Sequence, residues 1–136
     1  MSDSSRSKPP SLLGRLLYGG TLLYMAIDGF RHNDKRVEIA RDRGVPLPEL
    51  AVPLATGMLL VATLLLVVWA WPVVAALLVV VFFIATTPAI HPFWEFEGKE
   101  RNDNKINFLK NVALTGAAIV FLDEALGTDG DEVDEE

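Results

Sequence analysis

Charge is absent from one long stretch of this chain: no Asp, Glu, Lys or Arg occurs from Leu50 to Trp94, a run of 45 residues. A helix needs about 20 residues to cross a hydrocarbon layer about 30 Å thick, so the run has room for two crossings. A water-facing helix of the same length would carry polar residues along its outer stripe every third or fourth position, and a soluble fold is excluded on that ground. In the middle of the run stands Trp69-Ala70-Trp71-Pro72. Indole rings favour the membrane–water interface and proline is tolerated in a first helical turn, so a tight reversal is predicted there. The spacing predicts helices over 48–68 and 72–90, the first entered through Pro46 and Pro48, the second ended near Pro88 and Pro92.

Two weaker apolar stretches flank this pair. Leu12, Leu13, Leu16, Leu17, Leu22, Leu23 and Ile27 form the apolar body of a helix over 11–31, with Ser11 as its N-cap. Arg15 in its first turns reads as an interfacial anchor, its long stem letting the guanidinium reach the headgroups. A last helix is predicted over 106–123, interrupted by Asn107, Lys110 and Asn111, after a charged loop over 93–105. Between the first and second spans, residues 34–43 mix both charge signs with Val37, Ile39 and Ala40 and stop at Gly44, which predicts a short surface helix. The fold class is therefore all-α: an integral membrane four-helix bundle with a short surface helix between helices one and two. Residues 1–10 are expected to be a flexible N-terminal tail, 11–123 the four-helix transmembrane domain and 124–136 a disordered acidic tail.

Charge adds to this picture at the C-terminus. The net charge is −6, yet eight acids lie between Asp123 and Glu136, and the remainder is slightly basic. Such a tail repels itself and buries nothing, and it suits high-salt surroundings. Lys and Arg concentrate on the side of the loops 32–47 and 93–105, which by the positive-inside tendency puts those loops in the cytoplasm and the termini outside. The chain has no cysteine, which excludes disulfides, thiol relays and thiolate metal sites. No phosphate loop, zinc spacing, nucleophile elbow or dinucleotide fingerprint occurs, and no basic patch fits nucleic acid. No catalytic motif is readable, so an oxidoreductase role would have to come from a membrane subunit without one.

Candidate chemistry lies in three polar groups that the topology puts on one side of the membrane. Asp28, Arg31 and His32 share a helical face at the end of helix one. His91 and Trp94 close helix three, and Asn107, Lys110 and Asn111 open helix four. Turning Asp28, His91, Asn107 and Asn111 toward lipid would cost several kcal/mol each, to order of magnitude, so they are expected to converge inward. Two readings stand: a hydrogen-bond network that fixes helix packing, or a ligand pocket. Haem fits poorly, because His32 and His91 are both terminal, and no metal site is expected.

The segments Gly14-Arg15-Leu-Leu-Tyr-Gly-Gly, Asp28-Gly-Phe-Arg31, Gly44-Val-Pro46, His91-Pro-Phe-Trp94 and Phe108-Leu-Lys110-Asn111 resemble the DoxX family of small four-helix membrane proteins, over residues 11 to 122. Family members carry an oxidoreductase label and some accompany thiosulfate or quinol oxidation. The resemblance implies a membrane role near respiratory or stress redox chemistry, in a multi-pass protein of the cell membrane. The first hypothesis is a quinone-linked membrane subunit whose polar end binds a quinone headgroup, His91 and the Asn side chains hydrogen-bonding its carbonyls and protons moving through His91. Arg31 stands where the commoner family pattern has Lys, which argues against a titrating lysine at that position. The alternative is a non-catalytic scaffold that anchors a soluble redox or stress enzyme, or a respiratory partner, through its charged loops or acidic tail. Homo-oligomerisation is compatible with either reading.

Overall fold

The computed structural model describes residues 8–134, with side chains to residue 127, and is helical with no strand among the described residues. The expected flexible tail lies outside the described residues up to position 7. Helix α1 runs over 12–31 in three parts: α-helical Leu12–Arg15, a π turn at Leu16–Gly20, and α-helical Thr21–Arg31. Ser11 caps it as expected, its hydroxyl accepting from the Gly14 amide at 3.0 Å. Helix α2 is Asn33–Asp42, α3 Pro48–Val68, α4 Pro72–Ile90 and α5 Gly98–Asp134, with a 3-10 turn at Phe93–Glu95.

Each ending has a local cause. Gly44, at φ +81°, follows α2 in the left-handed conformation; its amide bonds to the Arg41 carbonyl and that of Val45 to Ala40, the Schellman arrangement. The reversal between α3 and α4 uses the same arrangement without glycine: Trp69 is left-handed at φ +56°, and its amide and that of Ala70 bond back to Leu66 and Leu65. Trp71, also left-handed, then leads into Pro72 at the start of α4.

Among the described residues three helices are long and apolar enough to cross a membrane: α3, α4 and the 98–127 part of α5. The π turn divides α1, so none of its α-helical pieces reaches that length. That turn is tied to packing. A Cβ on Gly19 would stand 2.7 Å from Val67 Cγ2, so only glycine lets α1 lie this close to α3. Next to it, Tyr18 reaches α5, donating to the Leu114 carbonyl at 2.5 Å and tilting its ring against Phe121. Gly29 repeats the close approach at the other end of α1, beside Thr56.

The core forms where α1, α3, α4 and α5 meet: Leu22, Ala26, Leu59, Ala62, Val79, Phe83 and Ala118 are all buried. Alanine at the contacts lets helices approach closely, as membrane helices do in the absence of a hydrophobic drive between them. Hydroxyls inside the spans are mostly satisfied locally, since Thr56, Thr63, Thr86 and Thr115 each donate to a carbonyl three or four residues earlier. Helix α2 buries Val37 and Ala40 against this body and exposes its charges.

The last helix departs from expectation at both ends. Residues 98–105, expected in a charged loop, form its first two turns, because a solvated helix accommodates Lys, Glu and Arg readily and the break is made by Gly98 at φ +62°. Beyond 123 the helix continues because Ala125 is buried against the body, and the backbone stays helical to Asp134 where a disordered tail from 124 was expected.

Candidate functional site

The sequence-predicted residues sit in separate local groups, and one of them joins two helices. His91 follows the last turn of α4, its amide bonded to the Thr87 carbonyl at 2.9 Å. Its Nδ1 lies 3.1 Å from Oδ1 of Asn104, a residue 9% exposed on α5 whose Nδ2 donates to the Glu100 carbonyl at 2.9 Å. His91 thus meets an amide from another helix, but Asn104 rather than Asn107 or Asn111. Asn104 was missed because its segment reads as loop; the spacing 104, 107, 111 would have marked one helical stripe had the helix been started earlier.

Asn107 and Lys110 pair with each other on the exposed side of α5, Lys110 Nζ donating to Asn107 Oδ1 at 3.3 Å while Asn107 Nδ2 donates to the Asp103 carbonyl. The Asn111 carbonyl accepts from Thr115. The Asp28 carboxylate lies 3.3 Å from His32 Nδ1 and 3.8 Å from Arg36 of α2, while Arg31 is exposed and outside that group. Among the described residues no hydrogen bond or ion pair joins the Asp28 group to His91. Arg41 of α2 pairs with Glu49 at the start of α3.

Arg43, at the end of α2, holds the His91 turn in place. Its Nε donates to the Ile90 carbonyl at 3.0 Å and its guanidinium stacks over Phe96 at 4.6 Å, so a cation covers the C-terminal carbonyls of α4. Trp94, half exposed, joins Phe93 and Phe108 in a set of edge-to-face rings 5.3 to 6.0 Å apart. Phe108 in turn lines a groove of about 430 Å³ between α4 and α5, with Phe83, Thr87, Pro88, Val112 and Ile119 among its walls. From Phe108 to Ile119 the groove descends about 16 Å along α5. Chemically, this end offers an imidazole–amide pair, an aromatic surface, and an apolar channel leading away from them. Among the described residues no group of acids and histidines could hold a metal ion.

Helices of this length and polarity, exposing Leu54, Val61, Leu64, Val81 and Ile84 outward, define a multi-pass membrane protein of the cell membrane. The chain matches the DoxX family over residues 11–92, and it belongs to that family. It is 31% identical over 88 residues to the inner membrane protein YphA of Escherichia coli (strain K12), an alignment covering 65% of this chain and 63% of that relative. No solved structure matches it.

Proposed function

We propose that α1 crosses the membrane with α3, α4 and α5, and that the His91 end of this four-helix bundle binds a quinone headgroup, as part of a redox-linked membrane subunit. Twenty residues of α1 reach about 30 Å, the hydrocarbon thickness. Leu13, Leu17, Tyr24 and Phe30 are exposed along it, as a lipid-facing helix requires. The charged loops at the His91 end lie on the cytoplasmic side in this reading.

The observation that carries the quinone reading is the junction at Phe108: a half-buried imidazole–amide pair and three aromatic rings stand at the head of a long apolar groove. A quinone has that same division between a flat polar ring and an apolar chain. A benzoquinone held beside Trp94 quenches its fluorescence, so titration of the detergent-solubilised protein should give saturable quenching that Trp94→Phe abolishes. Quenching that Trp94→Phe leaves unaltered would remove the headgroup from this site.

A scaffold reading draws on the exposed charges Glu97, Lys99, Glu100 and Arg101 in the first turns of α5 and the segment before it. It predicts a stoichiometric soluble partner in crosslinking pull-downs that stays bound in His91→Ala.

A further inference from the structure

We infer that Asn104 locks His91 as the Nδ1–H tautomer, which makes Nε2 a hydrogen-bond acceptor and selects a hydroxyl-bearing headgroup, the quinol, over the quinone; the ligand half rests on the quinone-linked reading above. The tautomer follows from atoms that can play only one role. A peptide carbonyl only accepts, so the Asn104 atom 2.9 Å from the Glu100 carbonyl is the amide nitrogen. The opposite end of the amide is then its oxygen, and it lies 3.1 Å from His91 Nδ1. An amide oxygen also only accepts, so Nδ1 bears the hydrogen. A neutral imidazole has one N–H, which leaves a lone pair on Nε2.

The lock is stiff because both of its members are held. Asn104 is 9% exposed, so water does not readily replace either of its bonds, and an unmade bond there would leave a buried amide unsatisfied. His91 is fixed through its own amide on Thr87 and through Arg43 on the Ile90 carbonyl next to it. Among the described residues no protein group hydrogen-bonds to Nε2, and Nε2 is not among the buried unpaired atoms. Nε2 is therefore accessible from outside the protein. A quinone presents carbonyl oxygens, and two acceptors brought together repel; a quinol presents O–H groups that donate to Nε2. Asn104 acts here as a positioning residue, since it works only through His91.

The test uses the full chain in nanodiscs with ¹⁵N-labelled histidine, kept anaerobic at about pH 8.5, where imidazole is neutral. The expected spectrum shows His91 Nδ1 in the protonated range and Nε2 in the unprotonated range. Asn104→Leu should release the lock and restore the mixture that free imidazole shows, whereas Asn104→Asp, which keeps an acceptor facing Nδ1, should retain it. An Nε2–H tautomer in the wild type, or an unchanged tautomer in Asn104→Leu, would overturn the inference. Titrating a short-chain benzoquinol and then its oxidised benzoquinone should move the Nε2 resonance with roughly tenfold or greater preference for the quinol. Equal affinity overturns the selectivity alone; binding of neither overturns the quinone reading and the ligand half with it, while the tautomer assignment is judged separately from the spectrum.

Discussion

Two arginines close two helix ends by the same means, at opposite ends of the packed helices. Arg15 donates from Nη1 to the Val67 carbonyl at the end of α3 and lies over the Trp69 ring at 6.0 Å. Arg43 donates to the Ile90 carbonyl at the end of α4 and lies over Phe96. Both satisfy C-terminal carbonyls that the helix itself leaves unpaired, and both place positive charge at the negative end of the helix dipole. The two ends differ in what surrounds the cap. Around Arg15 stand close packing contacts, Gly19 against Val67 and Trp69 on Phe121, and the Tyr18 hydroxyl donating to Leu114. Around Arg43 stand a histidine held by an amide from another helix, three clustered rings and an open groove. Capping is thus common to both ends; the first also carries the Tyr18 hydroxyl and the buried Trp69 Nε1, unpaired among the described residues, while the second joins an imidazole to an amide of another helix beside an open groove. That imidazole–amide pair is the ground for placing function there.

The comparison can be broken most forcefully at Gly19. Gly19→Leu places atoms where Val67 already stands, and overpacking of this kind costs about 1–3 kcal/mol, with the added loss of the π turn. A thermal melt in detergent should fall further for this substitution than for any change at the His91 end. Next in size is Arg15→Ala, which strands a partly buried carbonyl at a cost of about 1–3 kcal/mol; Arg43→Ala should cost no more, and should also free the His91 turn. A melt in which Arg15→Ala is silent would show that lipid headgroups or water replace the guanidinium.

His91→Ala sharpens the contrast from the other side. If its hydrogen bond to Asn104 serves the ligand more than the fold, stability should drop by only about 1 kcal/mol while quinol binding is lost. A drop as large as that of Gly19→Leu would make the pair a packing device. The smallest effect is expected from deleting residues 129–136, which should leave insertion and melting unchanged.

The parts of this molecule legible in the sequence are those where one physical cause dominates. Helices α3 and α4 lie within or beside the charge-free run, and their expected bounds, 48–68 and 72–90, are those observed. Proline and the Trp pair mark their ends chemically. Helix α5 starts earlier than the charge pattern predicts, because the charges at 99–105 lie exposed on helical turns and not in a loop. Asn104, the partner of His91, lies in those turns. The π turn was invisible for another reason: it is set by Gly19 meeting Val67, a contact 48 positions away along the chain, and no local pattern encodes it. Among the glycines, Gly19 and Gly29 stand at close contacts, Gly57 meets Phe30 at an ordinary 3.7 Å, and Gly20 has nothing within 4 Å. Helix order predicts the ends at which the polar groups lie, but not which of them touch.

The measurement closest to the central claim is the quinone content of lipid extracts from protein purified in mild detergent, compared between substitutions at the two ends. Quinone or quinol should co-purify with the wild type and with Arg15→Ala, and should be absent from His91→Ala. Its absence from every preparation, or equal retention in His91→Ala, would contradict the assignment of function to the His91 end.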